Sequence, residues 1–438
     1  MHVWNNESTK ITNPGSFFTL FLWFFFCTIN KKVKERISMK NKLTIAIIGC
    51  GAFAHKFVEL FKAHPYTEKV YVCDIIPEKA KNFAEMFGVE IIESFEEALK
   101  DPSINCIANF TRRHQHGEIS INALKSGKHV YSAVPMASTV DECKEIIDLV
   151  KKTGLTYFIG ETCYYYPCAM YCREAYKAGK FGDFAYGSSQ YYHHINDISY
   201  GKVKDERGMP PLFYPTHSTA MILSAVDSYV TRVACFGCKT DDPAFTKDGN
   251  PWGNEFINQY AFMELANGGT ARVTEARGFG YGRPSSYISS LYGTKGSYEF
   301  SNAQHLLYEK DLESTTEKIT LTDVSDYVNP ADMVKNKHLS DFKERVANGE
   351  WQWNSPAKIQ LTEYNRLPKE FSGLRNGHMA SHQLLIDDFC KAVANGEMPI
   401  LNAWFAARCN IPALIAIESA QQGGTPLDVP DFGDAPIK

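Results

Sequence analysis

Three short stretches of the sequence combine tyrosine, histidine and glutamate, the side chains best suited to moving protons. They are Glu161-Thr162-Cys163-Tyr164, Tyr191-Tyr192-His193-His194 and Tyr214-Pro215-Thr216-His217. A histidine or tyrosine can act as general acid or base when its pKa is brought toward neutrality. We therefore take these stretches as the candidates for acid-base chemistry.

A second candidate site is the glycine-rich run Gly49-Cys50-Gly51-Ala52-Phe53-Ala54, which directly follows an apolar stretch. Its first glycine permits a tight turn, its second lets a pyrophosphate approach the backbone, and the final alanine lets a helix pack closely. Asp74 follows the next apolar run, where a carboxylate can bind ribose hydroxyls. The pattern predicts a dinucleotide site, and Ile75 after Asp74 favours NAD over NADP because it offers no cation for a 2′-phosphate.

The elements that must position these residues alternate between short apolar runs and helix-period stretches from Lys42 onward. This alternation predicts a doubly wound parallel sheet of the Rossmann type. The predicted strands are 43–48, 70–73, 104–109, 129–132 and 155–159, and the predicted helices are 54–62, 78–87, 116–125 and 140–151. We assign the Rossmann domain to residues 39–165.

Beyond Pro167 one more helix, ending near Ala178, leads into stretches of alternating apolar and polar residues. The alternation predicts an open, mostly antiparallel sheet in an α+β domain over residues 166–438. Its predicted strands are 186–194, 232–236, 257–265, 270–275 and 289–292, with a hairpin at Asn267-Gly268-Gly269, weak periodicity over 302–377, and closing helices at 382–393 and 403–420.

The charge and the cysteine content of the chain indicate which partners and which cellular compartment to expect. The 438 residues carry 46 basic and 50 acidic side chains for a net charge of −4, which is unlike a polyanion-binding surface, so no nucleic-acid partner is expected. The 12 scattered cysteines fit a reducing compartment, and we predict a cytoplasmic protein. Cys235 and Cys238 form one C-x-x-C without a second pair, so no metal site is predicted.

The first 38 residues differ from the rest, with an apolar run from Phe17 to Ile29 followed by a cationic cluster. The run is shorter than the roughly 20 residues that a membrane span requires. Its charges also lie on the wrong side for a signal peptide. We expect residues 1–38 to be an extension outside the native fold, with Met39 as the natural start and a membrane anchor as the alternative.

From Thr44 onward the chain resembles the Gfo/Idh/MocA family of NAD(P)-dependent sugar and polyol dehydrogenases. The resemblance is carried by the glycine-rich run, Asp101-Pro102-Ser103-Ile104, a strand ending at Thr111, His116, Gly127-Lys128-His129-Val130 and Pro135. It implies bound NAD, a carbohydrate substrate between the two domains, and a dimer or tetramer. The predicted cofactor-binding residues are Gly49, Gly51, Ala52, Phe53, Asp74, Thr111, His116 and Ala133.

The chain departs from that family where its dehydrogenases handle protons. A family lysine that would precede Pro135 is replaced by Val134, and a family aspartate four residues before the histidine is replaced by Phe213. The proton-transfer stretches instead resemble a lysine-less branch, the NAD-dependent glycosidases of the α-N-acetylgalactosaminidase type. Carried over, that resemblance implies a catalytic set of Glu161, Tyr192, His194, Tyr214 and His217.

Three functions stay open at this point. The first is a NAD-dependent oxidoreductase that takes hydride from a ring carbinol of a sugar, a sugar derivative or a polyol. The second is a glycoside hydrolase or lyase in which oxidation at C3 allows deprotonation at C2 and elimination, with NAD recycled. The third is a sensor of sugar or NAD without catalysis, which the clustered proton-transfer residues disfavour.

Overall fold

The computed structural model describes residues 42–194, 206–214, 216–278, 286–300, 304–310, 319–329 and 356–436. Its first sheet is formed by buried apolar runs and holds six described strands. These are β1 (Leu43–Ile48), β2 (Thr67–Cys73), β3 (Glu90–Ile91), β4 (Cys106–Asn109), β5 (His129–Ser132) and β6 (Tyr157–Ile159). All neighbours pair in parallel in the order β3-β2-β1-β4-β5-β6, which confirms the predicted Rossmann sheet.

Five helices connect these strands: α1 (Val58–Ala63), α2 (Pro77–Phe87), α3 (Phe95–Lys100), α4 (His116–Lys125) and α5 (Val140–Thr153). Local signals set their ends. Helix α5 begins at a capping box between Thr139 and Glu142 and ends at Gly154, which has a left-handed φ of 70°. The single helix predicted over 54–62 is a 3-10 turn, Ala54–Lys56, followed by α1.

The second sheet has nine described strands and is antiparallel except where β7 and β10 pair in parallel. Its members are β7 (Phe184–Tyr192), β8 (Val230–Lys239), β9 (Phe256–Leu265), β10 (Thr270–Ala276), β11 (Ser286–Gly293), β12 (Gly296–Phe300), β13 (His305–Lys310), β14 (Ile319–Asp323) and β15 (Leu427–Asp428). They follow the order β14-β13-β12-β11-β7-β10-β9-β8-β15. The hairpin predicted at Asn267-Gly268-Gly269 joins β9 to β10.

The weakly periodic stretch 302–377 contains more regular structure than its pattern indicates. Strands β13 and β14 extend the second sheet at its edge, and β14 is exposed along its whole length. Residues Ile319 to Thr322 do alternate apolar and polar side chains, but this run is short and its surroundings are polar, so it did not stand out as a strand. Two short helices, α8 (Ser325–Val328) and α9 (Leu361–Tyr364), lie in the same stretch.

Four longer helices pack around the second sheet and the first: α6 (Pro167–Lys177), α7 (Thr216–Val226), α10 (His382–Asn395) and α11 (Ala403–Gln421). Every residue of α7 is buried, because it lies against β7 on one side and against α6 and α11 on others. This environment explains why the helix contains no Asp, Glu, Lys or Arg.

Helix α10 belongs to the C-terminal half of the chain but packs on the first sheet. The Phe389 ring lies edge-on to Phe61, Tyr131 and Phe158, with ring centroids 5.6–6.2 Å away. Residues 43–438 accordingly form one compact unit. The domain boundary predicted near residue 165 divides the two sheets along the chain, whereas this helix, from beyond that boundary, packs on the first sheet.

No helix within the described residues is long and apolar enough to cross a membrane. The apolar run from Phe17 to Ile29, and with it the predicted extension over residues 1–38, lies outside the described part of the chain.

Candidate active site

Three of the predicted catalytic residues form a continuous hydrogen-bonded chain. The Nδ1 atom of His217 lies 2.7 Å from Oε1 of Glu161, and its Nε2 atom lies 3.1 Å from the Tyr214 hydroxyl. A carboxylate oxygen can only accept, so Nδ1 carries a hydrogen and Nε2 is left to accept from Tyr214. We call Glu161, His217 and Tyr214 the proton-transfer triad.

The triad joins two distant parts of the fold. Glu161 follows β6 at the carboxyl edge of the first sheet, where its Oε1 atom also accepts a hydrogen bond from the backbone N–H of Cys163 at 2.8 Å. His217 lies in the first turn of α7. Because α7 is wholly buried, the imidazole is fixed beside the strand end that carries Glu161.

The Glu161 carboxylate has one unsatisfied oxygen. Oε2 is buried and has no hydrogen-bond partner within the described residues. An unpaired buried acceptor costs about 1–3 kcal/mol, so such an atom calls for a functional explanation. Glu161, Cys163 and His217 could also hold a metal, with ligand atoms within 4.8 Å of one another. The hydrogen bonds at Oε1 account for that spacing, and the expectation of no metal stays a prediction.

On strand β7 the side chain that lies against the triad is Tyr191, whereas the sequence predicted Tyr192. The Tyr191 ring lies 5.0 Å from the His217 ring and 5.8 Å from the Tyr214 ring, and the His193 ring lies 5.9 Å from Tyr191. The Tyr192 side chain points to the other face of the strand, where its ring meets Tyr287 at 6.1 Å.

Tyr192 therefore faces away from the triad, because a strand alternates its side chains between faces, and its catalytic role stays a prediction. Burial also raises the pKa of Tyr192, which makes the phenol harder to ionise. His194 follows the end of β7 and is half-buried. Its catalytic role stays a prediction.

Arg113 was not identified from the sequence, although it bridges the first domain to the triad. It lies in a 3-10 turn after β4, and its guanidinium carbon is 4.6 Å from the centre of the Tyr214 ring. It also forms an ion pair with buried Glu206. A cation over the ring favours the phenolate form of a tyrosine. No motif marks this arginine, because the contact depends on tertiary folding.

A second missed cluster lies behind His217. Glu275 on β10 is fully buried, accepts a hydrogen bond from Ser218 next to His217, and pairs with Arg277 at 3.0 Å. The Arg277 guanidinium also lies 5.3 Å from the Tyr191 ring centre. Burial raises the pKa of the Glu275 carboxyl to about 8 despite the opposing charge of Arg277. This cluster fixes the sheet and helix residues that surround the triad.

The glycine-rich turn has the shape that a dinucleotide requires. Gly49 has a φ of +96°, and a Cβ atom there would lie 2.6 Å from the carbonyl oxygen of Phe110, so only glycine fits. A Cβ atom on Gly51 would meet nothing within 4 Å. The protein itself therefore does not demand glycine at position 51, and the space in front of it suits a pyrophosphate approaching the backbone. Ala52 and Phe53 complete the turn.

Asp74 closes the turn against the second strand. Its two carboxylate oxygens accept hydrogen bonds from the backbone N–H groups of Cys50, at 2.8 Å, and Ile76, at 2.9 Å. Each oxygen keeps a second lone pair, so the carboxylate can also bind ribose hydroxyls. Ile75 beside it is 98% exposed. These residues fit the predicted adenosine end of the cofactor.

The remaining predicted cofactor residues lie along the next two strand ends. The backbone N–H and the hydroxyl of Thr111 both donate to Asn109, and the backbone N–H of buried Ala133 donates to the Asn109 carbonyl. His116 is buried, with its ring nitrogens 2.8 Å from the Pro135 carbonyl and 3.3 Å from the Thr111 carbonyl. Burial lowers the pKa of His116 to about 4, so the ring is neutral and donates a hydrogen bond to one of these two carbonyl oxygens.

The first sheet and its glycine-rich turn also match a family of known proteins. Residues 43–161 match the family model GFO_IDH_MocA, described as an oxidoreductase family with an NAD-binding Rossmann fold. Over these residues the chain is similar to the NAD-binding domain of the Gfo/Idh/MocA oxidoreductases. The cofactor of this domain is therefore NAD, as the glycine-rich turn and Asp74 predict.

Relatives and solved structures extend the similarity beyond that domain. The chain is 22% identical over 423 residues to a glycosyl hydrolase family 109 protein of Saccharopolyspora erythraea, covering 89% of this chain and 83% of that one. It is 23% identical over 277 residues to the NAD-dependent scyllo-inositol 2-dehydrogenase of Bacillus subtilis, covering 61% and 76%. Levoglucosan dehydrogenase with NADH and levoglucosan superposes with a TM-score of 0.66 at 20% identity, covering 89% of this chain and all of that one.

Replacing Gly51 by alanine tests the turn. The added methyl group meets no protein atom, so we expect the thermal midpoint without cofactor to change little. The same methyl occupies space needed by the pyrophosphate, so the Kd for NADH should rise at least about tenfold. Fluorescence titration and differential scanning fluorimetry measure the two effects. Unchanged NADH binding would contradict this assignment, and Gly49→Ala serves as the comparison that should destabilise the fold itself.

Glu275 should give the protein a measurable pH dependence of stability. Its folded pKa of about 8 lies above its ordinary value of 4.5, so the associated stability is present below about pH 4.5 and is lost as pH rises through 8. In Glu275→Gln the thermal midpoint should vary less between pH 5 and 8 than it does in the parent. The corresponding difference in the free energy of unfolding should be on the order of a few kcal/mol. Glu264→Gln, at an exposed position, is the control. A variant as pH-dependent as the parent would refute the assignment.

Proposed function

We propose that the protein is a NAD-dependent oxidoreductase that acts on a hydroxyl-bearing ring carbon of a sugar, a sugar derivative or a polyol. The observation that carries this proposal is the proton-transfer triad of Glu161, His217 and Tyr214, which joins the NAD-binding domain to the second sheet. Bound NAD supplies the hydride acceptor. The scyllo-inositol dehydrogenase and the levoglucosan dehydrogenase support a carbohydrate substrate.

The triad supplies the proton acceptor that the missing lysine would otherwise provide. The Tyr214 hydroxyl takes the proton of the substrate hydroxyl while passing its own proton to Nε2 of His217. The Glu161 carboxylate holds Nδ1–H and stabilises the resulting imidazolium. Arg113 over the Tyr214 ring favours this transfer by stabilising negative charge on the phenol oxygen.

Two observations favour a second function: the absence of the family lysine and the similarity to a glycosyl hydrolase family 109 protein. Val134 is buried where the family dehydrogenases carry a lysine, and the relative named glycosyl hydrolase family 109 protein covers 89% of this chain. In this case the protein cleaves a glycoside and regenerates NAD. Tyr214 or His217 then removes the proton from the carbon beside a transient sugar ketone, which requires a base tuned toward neutral pH. Paired carboxylates flanking the glycosidic bond are not needed.

One experiment distinguishes the two functions. The purified protein is incubated with NAD and with levoglucosan, scyllo-inositol and p-nitrophenyl glycosides of both anomers, including the N-acetylgalactosaminides. NADH and p-nitrophenol are followed together. We expect NADH to accumulate without p-nitrophenol if the protein is a dehydrogenase, whereas p-nitrophenol without net NADH establishes the glycosidase.

The triad variants test the mechanism in either case. Tyr214→Phe and His217→Ala should each lower kcat by roughly 10²- to 10⁴-fold, because general acid-base catalysis contributes that much. Tyr186→Phe changes the same kind of group on the opposite face of β7 and should leave kcat unchanged. Full activity of both triad variants would remove the basis of the proposal, as would absence of turnover across the panel.

We further propose that the protein forms a dimer or tetramer through the second sheet and works in the cytoplasm. The strand register places aromatic side chains together on the face opposite α7. They are Tyr186, Phe236, Tyr260, Phe262 and Tyr292, of which Phe236 is 57% exposed and Phe262 is 52% exposed. Exposed aromatic side chains gathered on one face of a sheet support its use as an interface. Free thiols at all described cysteines fit a reducing compartment.

The assembly is tested with the double variant Phe236→Lys, Phe262→Lys. Two lysines on this face should prevent pairing because their charges would be buried without partners. Light scattering coupled to size-exclusion chromatography should give at least twice the chain mass for the parent and a single chain mass for the variant. A monomeric parent, or an assembled variant, would show that this face is not the interface.

A further inference from the structure

The turn that leads into α10 contains unusual backbone. His378, Met379 and Ala380 have φ values of 43°, 53° and 66°. Residues with a Cβ atom avoid this left-handed region, at a cost of about 1–2 kcal/mol each. Three in succession are therefore costly, and such strain is retained mostly at functional sites.

Neighbouring side chains hold this turn in its strained form. Gln360 donates to the Met379 carbonyl at 2.7 Å and to the Tyr165 carbonyl at 2.9 Å. Asn376 donates to the Ala380 carbonyl at 3.1 Å, and Tyr364 donates to the same oxygen. A conformation fixed by this many bonds is specified by the fold rather than left to the local sequence.

The turn presents an imidazole to the cofactor end of the molecule. The His378 ring lies edge-on to Phe53 of the glycine-rich turn, with ring centroids 5.7 Å apart. Its Nδ1 atom is 2.8 Å from Nε2 of His382, which is itself buried against Phe53 and Phe57. Within the described part of the chain, Nε2 of His378 has no hydrogen-bond partner, and the residue is only half-buried.

The surroundings of His378 keep its ring uncharged. Burial lowers its pKa to about 3, and the charges of Lys56, His217 and His193 add to the effect. The ring is therefore neutral at pH 7. A neutral imidazole beside Phe53 of the glycine-rich turn can donate or accept one hydrogen bond through Nε2.

We propose that His378 is a cofactor-binding residue whose Nε2 atom hydrogen-bonds NAD beside the glycine-rich turn. The strained turn fixes the ring in that place before NAD arrives, which reduces the entropy lost on binding. The C-terminal part of the chain then contributes directly to a site otherwise built from the first sheet. This assignment concerns the cofactor alone and is independent of the substrate.

NADH titration without any sugar tests the proposal. In His378→Asn the backbone should be retained, because asparagine tolerates left-handed φ values, while the ring is lost. We expect the Kd for NADH to rise about tenfold. Met379→Gly is the matched control, since it relieves strain at the neighbouring residue and keeps both rings, and its Kd should stay within about twofold of the parent. Equal Kd values for His378→Asn and the parent, or equal weakening by both variants, would overturn the proposal.

A measurement on the unaltered protein covers the case in which His378→Asn does not fold. Diethyl pyrocarbonate modifies neutral imidazoles, and peptide mass spectrometry identifies which histidine has reacted. We expect NAD to slow modification of His378 at least about fivefold, because bound cofactor occupies Nε2. Modification of His378 at the same rate with and without NAD would refute the contact.

Discussion

The hydrogen bond between Glu161 and His217 determines how the two halves of this protein meet. Its 2.7 Å length ties the end of β6 to the buried helix α7 of the second sheet. One carboxylate oxygen serves both the imidazole and the Cys163 backbone, so the direction of the side chain is fixed. This bond places the imidazole hydrogen on Nδ1, so Nε2 is left to accept a hydrogen bond from the Tyr214 hydroxyl. Any displacement between the sheets would break the proton path before it disturbed either core.

Much of the fold was predictable because buried parallel strands and their crossover helices leave strong periodic signals. Strands β1 and β5 and helix α4 have the bounds expected from the sequence. The glycine-rich turn and Asp74 were identified for physical reasons that the structure bears out, namely the positive φ of Gly49 and the open space at Gly51. Strands β13 and β14 gave a weaker signal, because they are short and lie in a polar stretch of the sequence.

The site was less predictable than the fold. Resemblance brought Glu161, Tyr214 and His217 together correctly as a set, but it selected Tyr192, whereas Tyr191 faces the triad. A shift of one residue along a strand moves every side chain to the opposite face of the sheet. Because Tyr191 and Tyr192 are the same residue type, the sequence does not indicate which of them faces inward. Arg113 and the strained residues 378–380 were missed because their roles arise from contacts across more than a hundred positions of chain.

The packing of α10 on the first sheet has a consequence for synthesis. The strands of that sheet leave the ribosome long before residues 382–395, which cover Phe61, Tyr131 and Phe158 through Phe389. At roughly 5–20 residues per second, this apolar surface stays uncovered for on the order of tens of seconds. During that interval the nascent chain exposes an apolar surface of the kind that chaperones bind. The cofactor domain therefore completes its core only when the C-terminal part of the chain has been synthesised.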